Sequence, residues 1–425
     1  MTAEGQQTEA RNPGHRRPAA LAVTGIGVVS PIGIGREQFW TSLCEGRSGI
    51  APAEKIARVA RPPKCAAEVR GFDARDFIAT PHLRRMDGLS RMLVAASRMA
   101  LDDAGVSVTD VAPDRVGVVV GSALGDISES VLHLERAFNK GPGSVSPMMF
   151  PNLVLNAPAG YIAMEFSWTG VNYTVCQGET SGEQALIAGC QLVRAGRADL
   201  VLAGGGDEFG GIVFDAYRRA RALSSQCGGP EWSSPYDADR NGVILGEGAA
   251  MLVMEPVERA RARGARVHAQ IDGYATFGVP AGTYDWPARA PDALGPLQRL
   301  LGGAEPAAGS RLICGAGNSS RRLDACEIDL FSRLFGEVAG GVWLSSIKGA
   351  VGEFGAAGAL SAAAACLALG EQAVPPLCHL RVPEGNTALR FAARRRVAQP
   401  LEQAVLCGIA RGGAGAAIVF RPWPH

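Results

Sequence analysis

The chain has 425 residues, more than most single domains, which favours two domains or one large duplicated fold with a sizeable core. Its 42 Lys and Arg residues nearly balance 41 Asp and Glu residues, leaving a formal net charge of +1, and the basic residues are scattered along the chain. This balance argues against nucleic acid or an anionic membrane as a partner. The 55 glycines and only 6% aromatic residues are typical of a tightly packed α/β protein.

The cysteines are spread singly, with no CxxC pair and no Cys/His cluster at metal-ligand spacing. They lie at positions 44, 65, 176, 190, 227, 314, 326, 366, 378 and 407. We expect reduced, mostly buried thiols in a cytoplasmic protein, with no metal and no cofactor. Residues 1–19 are polar and precede no signal-peptide core, so they are predicted to be a disordered tail. No apolar run approaches the roughly 18 to 20 residues that span a bilayer.

The rest of the chain is predicted to form two comparable α/β halves, at 20–258 and 259–425. Continuous apolar runs indicate buried strands, and apolar residues at helical spacing indicate the helices between them. In the first half, strands are predicted at 21–30, 115–122, 171–176 and 198–207, with helices at 91–104 and 181–196. In the second half, strands are predicted at 311–317, 342–346, 403–409 and 415–420, with helices at 323–335 and 358–369 and a glycine turn at 411–413. The basic stretch 258–266 is interpreted as a helix end with solvated arginines.

Short segments in a fixed order carry a family resemblance. They are residues 23–31, 121–122, 146–147, 181–182, 202–206, 237–242, 246–249, 346–348, 355–358 and 412–413. Together they resemble the β-ketoacyl-acyl carrier protein synthases, from about Ala20 to Pro422. The resemblance implies the thiolase fold, a duplicated five-layer α/β/α/β/α sandwich that dimerises.

The family's condensing chemistry needs a Cys nucleophile at a strand-to-helix turn and two His residues, each inside a recognisable motif. The matched positions here are Glu179, Ala316 and Glu353, while the family's Lys is retained as Lys348. A carboxylate cannot form the thioester from which acyl chains are condensed, and Glu at a helix N-terminus also has a purely structural interpretation. The resemblance therefore implies that no catalytic residue set is intact.

Cys176 lies three residues before Glu179, but the alternation of 171–176 predicts a strand that would leave Cys176 as a buried, unreactive thiol. The Phe that gates the pocket in the family is matched by Arg411. We expect Arg411 to pair with Glu179 and block the acyl entrance. Lys348 is expected to neutralise Glu353 or nearby acids.

Histidines offer no replacement for the missing imidazoles, because none falls in a matching motif. They are His15, His82, His133, His268, His379 and His425.

Within the family, the chain looks like a chain-length factor, the ketosynthase beta subunit of a bacterial type II polyketide synthase. The resemblance implies a heterodimer with a condensing ketosynthase, with acyl carrier protein reached through the complex. The tunnel and interface map to the 125–138 helix and the 146–150 segment, and the candidates, which could equally be ordinary core residues, are Ile127, Leu132, Met148, Met149 and Phe150.

Alternatives stay open at this point. One is a malonyl-acyl carrier protein decarboxylase, which the absent histidines disfavour; another is an acyl hydrolase or transferase that uses Glu179 as its base. Glu179, at the strand-to-helix turn that we call the elbow, departs from the Gln often associated with chain-length factors. The sequence does not distinguish between an aromatic polyketide, a polyene and another unsaturated chain as the product. A linear polyene is slightly favoured.

Overall fold

The computed structural model describes residues 20–56, 63–226, 228–302 and 310–424. The predicted tail at 1–19, His15, Cys227 and His425 lie outside the described residues. The strands are β1 (Leu21–Ser30), β2 (Gly33–Ile34), β3 (Ile50–Pro52), β4 (Cys65–Ala67), β5 (Val116–Gly121), β6 (Asn172–Val175), β7 (Leu200–Asp207), β8 (Gly248–Pro256), β9 (Ala269–Gly278), β10 (Ser310–Cys314), β11 (Val342–Ser345), β12 (Ala373–Val374), β13 (Val397–Ala398), β14 (Leu401–Ile409) and β15 (Ala414–Arg421). The helices are α1 (Arg36–Cys44), α2 (Thr80–Leu83), α3 (Gly88–Ala104), α4 (Ile127–Lys140), α5 (Ala157–Phe166), α6 (Ser181–Arg194), α7 (Gly211–Arg219), α8 (Val257–Ala262), α9 (Pro291–Leu300), α10 (Arg321–Phe335), α11 (Lys348–Val351) and α12 (Ala357–Gly370).

The two halves of the main sheet repeat one topology. In the first half the order is β6-β5-β7-β8-β1, and in the second half it is β11-β10-β14-β15-β9. Each half joins its first three strands in parallel and adds the last two antiparallel. A short antiparallel pairing of β1 with β9 connects the halves. The repeat agrees with two comparable α/β halves, while the boundary at 258/259 stays a prediction.

The helices form layers on both sides of each half-sheet. α6 and α12 pack against strands of both halves, so they form the central layer. α3 and α5 cover the outer face of the first half, and α9, with α10 packed on it, covers that of the second half. Nearly every residue of the Ala-rich α12 is buried, because small side chains let it fit between two sheets. The predicted five-layer thiolase fold is confirmed.

Element ends differ from the predictions in informative ways. The predicted helix at 91–104 begins earlier, at Gly88, where the Asp87 side chain accepts from the Ser90 N–H at 2.5 Å and caps the first turn. The predicted strand at 171–176 is shorter and ends at Val175. Cys176 is therefore outside the sheet and exposed, so the prediction that it is a buried thiol was wrong. Within the described ranges, the helices lack the length and hydrophobicity needed to cross a bilayer.

Candidate functional site

The turn between β6 and α6 carries Glu179, at the position matched to the nucleophile. Gly178 has φ +55°, which lets the chain reverse direction there. The hydroxyls of Thr180 and Ser181 donate to the carbonyl oxygens of Gln177 and Gly178, at 2.9 and 2.7 Å. The side chain of Glu179 is only 12% exposed. The turn is thus held by its own hydrogen bonds and presents a nearly buried carboxylate.

The turn between β14 and β15 carries Arg411 and faces this elbow. Gly412 and Gly413 have φ of 75° and 85°, and a Cβ on Gly413 would lie 1.5 Å from the carbonyl oxygen of Val279. Only glycine fits at position 413. The Gly412 N–H also donates to the carbonyl oxygen of Asp285 at 3.1 Å. These contacts fix the backbone of Arg411.

Glu179 and Arg411 form the ion pair that the sequence analysis expected. Nη1 of Arg411 lies 3.2 Å from Oε1 of Glu179, and the backbone N–H of Arg411 donates to Oε2 at 3.1 Å. Nη1 also donates to the Tyr217 hydroxyl at 2.8 Å. The guanidinium carbon lies 4.4 Å from the ring centre of Tyr217 and 4.0 Å from that of Trp286. The guanidinium of Arg411 therefore contacts two aromatic rings and a carboxylate.

Glu353, at the second histidine position, is in a buried ion pair with Lys348. Nζ of Lys348 lies 3.0 and 3.2 Å from the two carboxylate oxygens, and the Asn318 amide donates to Oε2 at 2.8 Å. Burial raises the pKa of Glu353, and Lys348 acts against that shift. Burial alone would lower the pKa of Lys348, but the nearby Glu353 carboxylate outweighs it and the net pKa is raised. Both carboxylate oxygens of Glu353 are thus engaged in a buried ion pair.

Ala316, at the first histidine position, has a methyl group that cannot transfer a proton. Its backbone N–H donates to Oε1 of Glu327 at 2.8 Å, and the hydroxyl of Tyr236 donates to Oε2 at 2.8 Å. A Cβ on Gly317 would lie 2.5 Å from the Tyr236 ring, so this ring fills the space beside Ala316. Burial raises the pKa of Glu327 to about 7. Ala316 is therefore packed within the core.

Asp324, in the first turn of α10, binds backbone N–H groups. It accepts from the N–H groups of Asn318 and Tyr236 at 2.9 and 2.8 Å, and it lies 3.5 Å from Nε of the buried Arg240. Burial raises the pKa of Asp324 to about 6. Its contacts indicate a structural role.

Glu183, in the first turn of α6, was not identified from the sequence. It is fully buried, and its Oε2 has no hydrogen-bond partner among the described residues. Burial raises its pKa to about 7, although Lys348 opposes the shift. A Cβ on Gly358 or Gly408 would lie 2.1 or 2.4 Å from this carboxyl group. The sequence signal for it is an acid in the first turn of the helix that follows Glu179.

The described histidines are engaged elsewhere. The ring of His82 lies 2.6 Å from Glu165 and that of His268 lies 2.6 Å from Asp103. His379 bonds to the Ser233 carbonyl and His133 lies beside the Phe150 ring; these rings make no hydrogen bond to Glu179, Lys348 or Glu353 within the part of the chain that the structure describes. In the same part of the chain, no group of three His, Cys, Asp or Glu side chains could hold a metal ion.

The tunnel candidates lie on the surface of this chain. Leu132, Met148 and Phe150 are exposed, and Ile127 and Met149 are half-buried. Met148 lines an open cavity of about 690 Å³ beside α5. Their role as tunnel walls stays a prediction, because a surface of one chain becomes a wall only against another.

Comparison with known proteins identifies the family. Residues 19–260 match "Beta-ketoacyl synthase, N-terminal domain" and residues 297–381 match "Beta-ketoacyl synthase, C-terminal domain". The chain belongs to the beta-ketoacyl synthase family.

Similar proteins include synthases and a ketosynthase/chain length factor structure. The 3-oxoacyl-[acyl-carrier-protein] synthase 2 of Vibrio harveyi is 30% identical over 94% of this chain and 98% of its own length. That of Synechocystis sp. is 28% identical over 95% and 98%. The solved structure named "The ishigamide ketosynthase/chain length factor" has a TM-score of 0.89 and 27% identity, over 96% of this chain and 100% of the other. A beta-ketoacyl synthase from Burkholderia phymatum has a TM-score of 0.84 and 25% identity, over 96% and 100%.

Proposed function

We propose that this chain is a non-condensing ketosynthase homologue that pairs in the cytoplasm with an active ketosynthase and shapes the acyl tunnel to set polyketide chain length. A linear polyene is the product we favour. The observation that carries the proposal is the state of the matched catalytic positions. Glu179 is tied to Arg411, Glu353 is tied to Lys348, and Ala316 has no ionisable group.

The chemistry follows from these contacts. Thioester formation needs a thiolate at the elbow, and decarboxylation needs imidazoles beside it. Both carboxylate oxygens of Glu179 contact Arg411, so the side chain at the elbow is already engaged in an ion pair. Cys176 is exposed, but it lies directly after β6 and three residues before the nucleophile position. A condensing cycle on this chain alone would lack its nucleophile and both proton-transfer groups.

A partner is supported by an apolar face on the first half of the chain. α4, which is described throughout, contains no buried residue, although it carries an apolar stripe. α5 packs against β6, the edge strand of the main sheet, and extends this face. The exposed apolar side chains are Leu124, Leu132, Leu134, Phe138, Met148, Phe150, Val154 and Met164. Clusters of this kind mark protein interfaces.

The comparison structure makes a condensing ketosynthase the favoured partner, since its name pairs a ketosynthase with a chain length factor. In such a complex, acyl carrier protein would be reached through the complex, and the tunnel candidates on α4 and at 146–150 would face the partner's acyl chain. The synthase names of the sequence relatives describe those proteins; here the nucleophile position holds Glu179.

The same contacts disfavour the two alternative functions. A malonyl-acyl carrier protein decarboxylase needs imidazoles that Ala316 and Glu353 do not supply. A hydrolase or transferase that used Glu179 as base would need a carboxylate open to an attacking water, and both of its oxygens contact Arg411.

The test is native mass spectrometry of the chain alone and with the ketosynthase encoded beside it, followed by turnover of malonyl- and acyl-carrier protein on each species. We expect a one-to-one complex that condenses and a lone chain that neither condenses nor decarboxylates. Turnover by the lone chain that Glu179→Ala abolishes would contradict the proposal.

A matched pair of variants locates the interface. Phe138, 85% exposed on α4, is replaced in Phe138→Glu, and Val382, an exposed apolar residue of the second half, is replaced in Val382→Glu as the control. A charge buried at an interface weakens binding by about tenfold or more. Equal complex formation by both variants would remove α4 from the interface.

A further inference from the structure

Arg411 is held in place by groups other than Glu179. Tyr217, on α7, and Trp286, before α9, place their rings 4.4 and 4.0 Å from its guanidinium carbon, and the Tyr217 hydroxyl accepts from Nη1. The turn at Gly412 fixes its backbone through a hydrogen bond to the Asp285 carbonyl. A guanidinium restrained from three segments needs little reorganisation to bind an anion.

The two donors that reach Glu179 have the geometry of a carboxylate site. One carboxylate oxygen faces Nη1 of Arg411 at 3.2 Å, and the other accepts from its backbone N–H at 3.1 Å. The first contact is an ion pair and the second is a hydrogen bond to the carboxylate, a combination that favours a carboxylate over a neutral ligand. The indole N–H of Trp286 is buried and has no acceptor among the described residues, so a further donor lies beside this cation.

Solvent reaches this group through a cavity of about 790 Å³ whose wall includes Arg411, Tyr217 and Trp286. The same wall carries Arg221, Arg321 and Arg322, and one carboxylate, Asp285, which lies 3.7 Å from Nη1 of Arg322. The cations outnumber the carboxylate, so the charge of the wall favours an incoming anion.

We propose that Arg411, Tyr217 and Trp286 form a preformed receptor for a small carboxylate, and that Glu179 is its intramolecular ligand. In the native chain the receptor is self-occupied, which excludes carboxylate-bearing molecules that enter the cavity. Removing the Glu179 carboxylate vacates the receptor and turns the chain into a binder of formate or acetate. The inference does not depend on pairing with a ketosynthase, because it concerns the chain alone.

The experiment is titration calorimetry and thermal unfolding of the full chain at pH 7 with sodium acetate or formate, against sodium chloride and acetamide at matched concentrations. In Glu179→Ala, acetate and formate are expected to bind and raise the Tm, whereas chloride and the neutral acetamide leave it unchanged. The native chain should respond to none of them. Adding Arg411→Met should weaken acetate binding about tenfold or more, because it removes the cation that faces the carboxylate and leaves only the backbone N–H.

Glu179→Ser, which keeps a small acceptor beside Arg411, provides a second vacated site if Glu179→Ala does not fold. The proposal fails if acetate and chloride act equally on the vacated variants, if Arg411→Met leaves the acetate affinity unchanged, or if the native chain binds acetate as well as they do. These outcomes are separate from the partner test, since lone-chain binding can be present or absent with or without complex formation.

Discussion

The carboxyl group of Glu183 fills the space that Gly358 leaves open between the two central helices. A Cβ added to Gly358 would lie 2.1 Å from the Glu183 carboxyl carbon, which is closer than atoms pack. Glu183 lies in the first turn of α6 and Gly358 in the first turn of α12, so this contact sets how closely the two helices approach.

Gly358→Ala should therefore destabilise the fold by about 1–3 kcal/mol, the usual range for overpacking a core. Glu183→Ala in the same chain should recover most of that loss, since it removes the atoms that the new methyl group meets. Urea denaturation of both single variants and the double variant measures the coupling. Strictly additive effects would mean that the contact is absent.

The raised pKa of Glu183 predicts a pH dependence of stability. Burial raises it to about 7 from an ordinary value of 4.5, so between these pH values the folded chain holds a proton that the unfolded chain has lost. The contribution is complete below about pH 4.5 and is lost as pH rises through about 7, with a slope of up to about 1.4 kcal/mol per pH unit.

Glu183→Gln should flatten the fall of the unfolding free energy between pH 5 and pH 7, measured by urea denaturation at several pH values. Other buried acids, such as Glu327, contribute to the total slope, so the difference between native chain and variant is the quantity that isolates Glu183. The exposed Glu337 supplies the control, Glu337→Gln, which should leave the slope as it is. Identical slopes for all three chains would contradict the assignment.

Most strands of the main sheet were predictable because buried strands are continuous apolar runs and glycines mark their ends, but β8 and β9 were not predicted. The Glu179 and Arg411 pair was also predictable, because both residues lie on turns whose places in the sandwich follow from the family resemblance. Where β6 stops was not predictable: residue alternation continues to Cys176, but hydrogen bonding ends at Val175 on this edge strand.

Contacts between distant segments were beyond the sequence pattern. Trp286 lies on a segment that none of the predicted elements covers, yet it forms one wall around Arg411. Glu183 reads as an ordinary acid in the first turn of a helix, a favourable place for a carboxylate. Its burial arises only when α12 packs onto α6, which is a property of the assembled core.

Lys348→Met should be strongly destabilising, because it leaves the Glu353 carboxylate buried without its cation. Breaking one partner of a buried pair costs about 3–5 kcal/mol. The double variant Lys348→Met with Glu353→Leu should recover much of the loss, since no unpaired charge remains. Chemical denaturation of the three chains checks this. If the double variant is as unstable as Lys348→Met alone, the ion pair is not the reason for the loss.

Glu179→Cys should not convert the chain into a condensing enzyme. The new thiol would stand at the elbow beside Arg411, whose positive charge favours the thiolate, so acylation by an acyl-carrier protein can be followed as a mass increase. Condensation also needs proton transfer at positions 316 and 353, where the chain has a methyl group and an ion-paired carboxylate. Loss of such groups lowers rates by about 10²- to 10⁴-fold. We expect at most an acyl-enzyme and no release of carbon dioxide from malonyl-carrier protein, measured by intact mass and labelled malonate, with the partner ketosynthase as the positive control. Condensation by Glu179→Cys alone would show that Ala316 and Glu353 are not the limiting replacements.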